Sequence, residues 1–187
     1  YITYMRKNKS PSLGLDISST VVGYCFSTSP TNIVYAGYID IHKESTIKAK
    51  AHKVINHLES FEEQPSVVIV EDSLSGFGGG RTSQQTIVKL AKCNAVISYV
   101  VEAIYGVEIK HVNVSTLRKA VFGKSREKGV DSKQFVKKQL EKKIDLSEHI
   151  VYNSRKNYDK KNYDMMDAVV ASVYHWESVV RDGHTTT

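Results

Sequence analysis

The 187-residue chain is long enough for one α/β domain with a substantial core and too short for two ordinary ones. Hydrophobic residues at 41% and charged residues at 25% are ordinary globular values and argue against global disorder. No apolar run approaches the ~18 residues that span a bilayer, the basic N-terminus has no apolar signal-peptide region, and the net charge of +6 draws attention to polyanions.

Residues 1–11 read as a loose arm ending at Pro11. SLGLDI (Ser12 to Ile17) and VVGYCFST (Val21 to Thr28) read as strands joined by a turn at Ser18-Ser19, and NIVYAGYIDI (Asn32 to Ile41) as a third strand after Pro30. Short turns between three successive strands predict an antiparallel meander. The period then changes. Ile47, Ala51, Val54, Ile55 and Leu58 share one helical face, and Pro65 ends that element. VVIVED (Val67 to Asp72) is a β-branched run expected to be a central strand, parallel to the first.

Gly76 to Gly80 form a glycine-rich loop around Phe77. A helix is expected from Ser83 to Tyr105, with Ile87, Leu90, Ala91, Ile97 and Val101 facing inward and Gly106 ending it. Val107 to Val114 should be the fifth strand, followed by a short helix through Ala120 capped by Ser115. A basic loop leads into a helix from Ser132 to Lys143, and residues 144–163 read as irregular and mixed in charge. The last helix is expected from Tyr163 to Val180, with Met166, Val169, Val170 and Val173 toward the core. This gives a single domain over 12–181 and a disordered tail over 182–187. Cys25 and Cys93 lie in apolar stretches, so two buried free thiols in a reducing intracellular compartment are expected. The order βββ-α-β-α-β-α…α predicts an α/β domain with a mixed five-stranded sheet flanked by helices, the ribonuclease-H-like arrangement.

One segment holds all the basic excess. From Arg118 to Lys143 there are ten basic residues, among them Arg118, Lys119, Lys124, Arg126, Lys128, Lys133 and Lys137, against the acids Glu127, Asp131 and Glu141. That is net +7, which leaves −1 for the remainder. Such a block is either a solvated helix face or a surface for the phosphates of a nucleic acid.

Four acids stand where a core does not accept them freely. Asp16 interrupts the first strand, Glu71 ends the fourth, and Asp164 and Asp167 lie three apart, on one face of the last helix. Asp16, Glu71 and Asp164 each have an ordinary explanation as a turn, cap or first-turn acid, whereas Asp167, inside an apolar run, is the hardest to explain that way; Asp72 is an alternative to Glu71 that alternation turns to the other side of the strand. Together they make a cluster whose burial and mutual repulsion call for cations. Carboxylate donors without Cys or His suit Mg²⁺ or Mn²⁺, and two such ions can activate water and stabilise the leaving oxygen of a phosphodiester.

From about Leu13 to His175 the chain resembles the RuvC-type Holliday junction resolvases of the ribonuclease-H-like superfamily, most of all the divergent phage-borne members. LGLDISSTVVGY is similar to the family's first strand with its first acid at Asp16, VIVEDSL carries the second at Glu71, and DMMDAVVASVYH resembles the closing D-x-x-D-A signature with Asp164 and Asp167. The resemblance implies catalysis at these four acids, Mg²⁺ dependence, a homodimer, and paired nicks across a four-way DNA junction. It also implies a basic residue near the scissile phosphate, here Lys133. The family's wedge aromatic soon after the second acid is missing: Leu74 stands there, and Phe77 is the nearest aromatic, either a DNA contact or an anchor of its own loop. Arg81, with Arg118, Lys119, Lys124, Arg126, Lys128 and Lys137, is expected to cradle DNA backbones. No membrane partner or nucleotide cofactor is implied.

Three other readings compete. GLDISST loosely resembles the phosphate loop of actin-like and sugar-kinase-like ATPases, which are usually far longer. A non-catalytic DNA-binding module would use the basic segment but not the acids. A nuclease of the same fold could also act on flaps, forks or RNA–DNA hybrids with unchanged chemistry.

Overall fold

The meander builds one side of the sheet: β1 (Ser12–Ile17), β2 (Val21–Ser27) and β3 (Ile33–Asp40) pair antiparallel in succession. The computed structural model describes residues 10–72 and 83–183. Ser18 closes the β1–β2 turn, where its Oγ accepts from the Val21 amide at 2.9 Å. After α1 (Ile47–Leu58), β4 (Val67–Asp72) enters parallel to β1. α2 (Gln84–Tyr105) then leads to β5 (Ile109–Asn113), parallel to β4. The sheet order is β3-β2-β1-β4-β5, so β1 and β4 are interior, as the β-branched run at Val67 predicts. This is the expected mixed five-stranded sheet.

Alternation along the strands sorts the core into two layers. Leu13, Leu15 and Ile17 of β1 and Val68 and Val70 of β4 face α1 and α2, meeting Ala51, Val54, Leu58, Ile97 and Val101. Val67 and Ile69 of β4 and Cys25 of β2 face α3 (Val114–Phe122), α4 (Ser132–Leu140) and α5 (Asn162–Gly183). Leu13 and Leu15 are completely buried, and each such side chain contributes about 1.5–3 kcal/mol. Cys25 and Cys93 are buried free thiols, and burial pushes the Cys25 thiol up to about 12.

Local chemistry explains where several boundaries depart from expectation. Asn113, not Ser115, caps α3: its Oδ1 accepts from the Ser115 amide at 2.8 Å. That cap draws Val114 into the helix and ends β5 at Asn113, a residue before its expected end. α3 runs on to Phe122, where Gly123 takes the left-handed conformation at φ 77°. Asp131 caps α4, which stops at Leu140 because the following turn folds the Lys143 and Ile144 amides back onto the Leu140 carbonyl. α5 extends to Gly183, into the stretch expected as tail. Ile87, Leu90 and Ala91 of α2 are only half-buried, whereas Ile97 and Val101 are core. Residues 144–163 carry a 3₁₀ turn (Ser147–His149) and a Tyr152–Tyr158 bridge, so this segment is more ordered than its mixed charge suggests.

Candidate functional site

Strand register brings the first two acids together. β1 and β4 run parallel with Leu15 beside Val70, so the next residues along, Asp16 and Glu71, are neighbours where the β1–β4 ladder ends, each still paired on its other side, with Gly23 and Val112. Glu71 alternates with Val70 and so shares the side of Val67 and Ile69, the side on which α5 packs. Asp72 points away from it. Between the two acids of VIVED, the structure therefore selects Glu71.

Two strand glycines bring α5 onto this side. A Cβ on Gly14 would stand 2.1 Å from the Ala168 carbonyl oxygen, and one on Gly23 would stand 2.0 Å from that of Asp164. Gly23 is also the cross-strand partner of Asp16. The backbone carrying Asp164 thus rests directly on the strand next to the first acid. Farther along α5, the buried Ser172 hydroxyl lies 2.8 Å from Ser12 Oγ and 2.7 Å from Ser27 Oγ, which pins the helix to β1 and β2. Gly14 and Gly23 stand outside the set of residues that charge and motif spacing point to. The readable signal was a glycine inside each strand pattern, which marks a close backbone approach.

Asp16 lies near enough to the other three acids to feel the charge of each. Burial, then the charges of Glu71, Asp167 and Asp164, raise the Asp16 carboxyl well above the usual range. Glu71 is pushed up to about 8, by burial first and then by Asp167. Asp164 and Asp167 are raised as well, again mainly by burial. Such groups resist ionising together unless positive charge is supplied.

The chain supplies part of that charge. Arg118 Nη2 donates to Asp167 Oδ1 at 3.0 Å, with both side chains only 12% exposed, and Nη1 donates to Ser132 Oγ at 2.7 Å. Its buried Nε has no partner among the described residues. Lys133, in the first turn of α4, opposes the raised values of Asp16, Asp164 and Asp167, and its ammonium lies 5.5 Å from the Tyr163 ring centre. Among the described residues, no three Asp, Glu, His or Cys side chains are placed so that they could hold a metal ion as they stand. What the site offers is an all-oxygen donor set with excess negative charge, which is chemistry suited to a hard divalent cation.

The remaining expected DNA contacts divide. Lys119, Lys124, Arg126 and Lys128 are exposed on α3 and the loop after it, and the half-buried Lys137 sits on α4 with its ammonium 4.4 Å from the Tyr158 ring centre. These elements share the α5 side of the sheet with the acids. Arg118 is turned inward to Asp167. Phe77, Arg81 and the glycine-rich loop from Gly76 to Gly80 lie outside the described residues.

No family model and no curated protein sequence matches the chain. Solved structures do match in fold. The yeast mitochondrial Holliday junction resolvase Ydc2 superposes with a TM-score of 0.62 at 16% identity, over 95% of this chain and 82% of that one. Thermus thermophilus RuvC in complex with Holliday junction substrate gives 0.60 at 12%, over 91% and 95%. Fowlpox virus resolvase, in complex with its substrate Holliday junction DNA, gives 0.53 at 18%, over 91% and 99%. The chain has the ribonuclease-H-like fold of these resolvases across nearly its whole length.

Proposed function

We propose that this protein is a metal-dependent endonuclease that cuts branched DNA, with the four-way junction as its substrate, by paired phosphodiester hydrolysis in a homodimer. The observation that carries the reading is the convergence of Asp16, Glu71, Asp164 and Asp167, from two strands and a helix, into a cluster in which the other three acids raise Asp16 and the two α5 acids raise Glu71, each after burial. A DNA-binding module without catalysis has no use for this arrangement, because uncompensated acids repel phosphates. The fold shared with structures described as Holliday junction resolvases supports the junction as substrate.

The four carboxylates would hold Mg²⁺ or Mn²⁺, two ions per site. When bound, the metal activates a water and stabilises the leaving oxygen of the cut phosphodiester. The chain's own residues do the rest. Lys133, close enough to Asp16 and Asp164 to offset their charge, supplies a cation for the scissile phosphate. Arg118 orients Asp167. Lys119, Lys124, Arg126, Lys128 and Lys137, on the acids' side of the sheet, bind the backbones leading to it.

The homodimer reading rests on α2. Val88, Val96 and Tyr99 of this helix stay 51%, 37% and 71% exposed on one face, around the exposed Lys92, and a second copy would cover them. A two-fold axis there would pair two sites for two symmetric nicks.

Matched four-way junction, flap, duplex and RNA–DNA hybrid substrates, incubated with Mg²⁺ and end-mapped, test the proposal. The junction should be cut fastest and symmetrically, and Asp16→Asn should lose cleavage while keeping junction binding. Cleavage by that variant at the wild-type rate would overturn the mechanism; preference for another substrate would overturn the junction.

A further inference from the structure

Between the 3₁₀ turn and α5 the chain forms a short ribbon, bridged at Tyr152 and Tyr158, that the proposed function leaves without a role. Its tip, Asn153 to Asn157, is built as a three-residue hairpin loop. Asn153 organises it: its amide donates to the Asn157 carbonyl at 2.8 Å, and its Oδ1 accepts from the amides of Arg155 and Asn157 at 2.9 and 3.1 Å. The position that completes such a loop takes positive φ, which glycine or asparagine adopts with least strain. Here it is Lys156, at φ 59°, the one non-glycine residue with positive φ among the described residues. A lysine at that position incurs a backbone cost that glycine or asparagine would lessen.

Lys156 has basic company. Arg155, Lys156 and Lys160 are exposed and form no ion pair among the described residues, whereas Lys124, Lys137, Lys143 and Lys161 each pair with an acid. Tyr152 beside them is 61% exposed. The one acid of the segment, Asp159, is turned inward, where its Oδ2 accepts from the Tyr38 hydroxyl at 3.0 Å.

The base of the ribbon is tied to the start of α5. Asn162 clamps its base, with Nδ2 donating to the Val151 carbonyl at 2.7 Å and Oδ1 accepting from the Val151 amide at 3.0 Å. The Tyr158 ring packs on Tyr163, one residue before Asp164, and lies under the Lys137 ammonium of α4. Asp159 is near enough for its charge to raise the Asp164 carboxyl. The loop therefore projects free cations and an exposed aromatic from a fixed mount at the N-terminus of the helix that carries two of the four acids.

We propose that this ribbon is a second DNA-backbone clamp, in which Arg155, Lys156 and Lys160 bind phosphates of a strand entering the site and Tyr152 packs on an exposed base or sugar. It lies outside the basic block of residues 118–143, and it rests on the nuclease reading above. The test measures binding of a labelled four-way junction by fluorescence anisotropy across a salt series, in the non-cleaving Asp16→Asn background with Mg²⁺. Lys156→Gly should weaken binding while leaving the melting temperature unchanged or higher, because glycine relieves the backbone. Arg155→Ala/Lys156→Gly/Lys160→Ala should lower the slope of log affinity against log salt by about 2–3, at ~0.9 per lost phosphate contact, with at least about a tenfold loss of affinity. Unchanged affinity and slope overturn the clamp. So does a Lys156→Gly variant that loses binding and melting temperature together, since that marks a structural role. If the Asp16→Asn parent itself does not bind the junction, the underlying nuclease reading fails instead.

Discussion

Arg118 shows how one side chain can offset part of the charge of an acid cluster from within the chain. Its guanidinium spans Asp167 and Ser132, and it lowers the pKa of Glu71 and Asp167 against the dominant effect of burial. Removing one member of a buried ion pair costs roughly 3–5 kcal/mol, moderated here because Asp167 can take up a proton. Arg118→Ala should therefore destabilise the metal-free protein by about 3 kcal/mol near pH 8 and by less near pH 5, as denaturant melts in chelator will show. Glu71 gives a second prediction. Its folded value of about 8 lies above the ordinary 4.5, so its protonated form favours the fold. Stability from this group is complete below about pH 4.5 and is lost as pH rises toward 8. Metal-free protein should melt at a lower temperature at pH 8 than at pH 5, and Mg²⁺ should raise the melting temperature more at pH 8. Equal Mg²⁺ effects at both values would count against the acids as its ligands. Asp16→Asn should slow junction cleavage by more than about 100-fold, since even changes behind a metal's direct ligands cost about 10–100-fold.

For the elements, the contact between α5 and the sheet decides the outcome. Gly14 and Gly23 let the helix backbone lie on β1 and β2, and Ser172 fastens it there among buried hydroxyls. Gly23→Ala would drive a methyl group into the Asp164 carbonyl, where neither backbone can yield cheaply. Overpacking of this kind costs about 1–3 kcal/mol, and the displaced helix would carry Asp164 away from Asp16. The variant should lose both stability, read by urea midpoint, and junction cleavage, while a surface change such as Lys48→Ala should affect neither.

At the scale of the whole molecule, the basic block of α3, α4 and the loop between them lies on the side of the sheet where α5 packs and the acids stand, while α2, on the other side, exposes Val88, Val96 and Tyr99. An interface through α2 would leave the acid-bearing side of each copy open. Tyr99→Asp should convert a dimer to a folded monomer, checked by sedimentation velocity, and such a monomer should nick junctions without pairing the two cuts. A wild-type protein that sediments as a monomer even with junction DNA would remove the basis for paired cleavage.

Much of this was legible in the residues themselves. The alternation of LGLDI, the β-branched run ending at Glu71 and the three-residue spacing of Asp164 and Asp167 are local patterns, and local patterns specify elements and the side each residue occupies. They were enough for a mixed five-stranded sheet with an antiparallel start and a parallel finish, and for naming four acids as one set. Other features depend on residues far apart in the chain, and only the fold brings them together. Glu71 rather than Asp72 follows from which side α5 covers, and Arg118 becomes a partner of Asp167 only when α3 packs beside α5. The ribbon at Tyr152 looks like mixed-charge loop until Asn162, Tyr163 and Lys137 hold it next to Asp164. Spacing along the chain carries the period of a helix or strand, but an electrostatic site is set by distances through space.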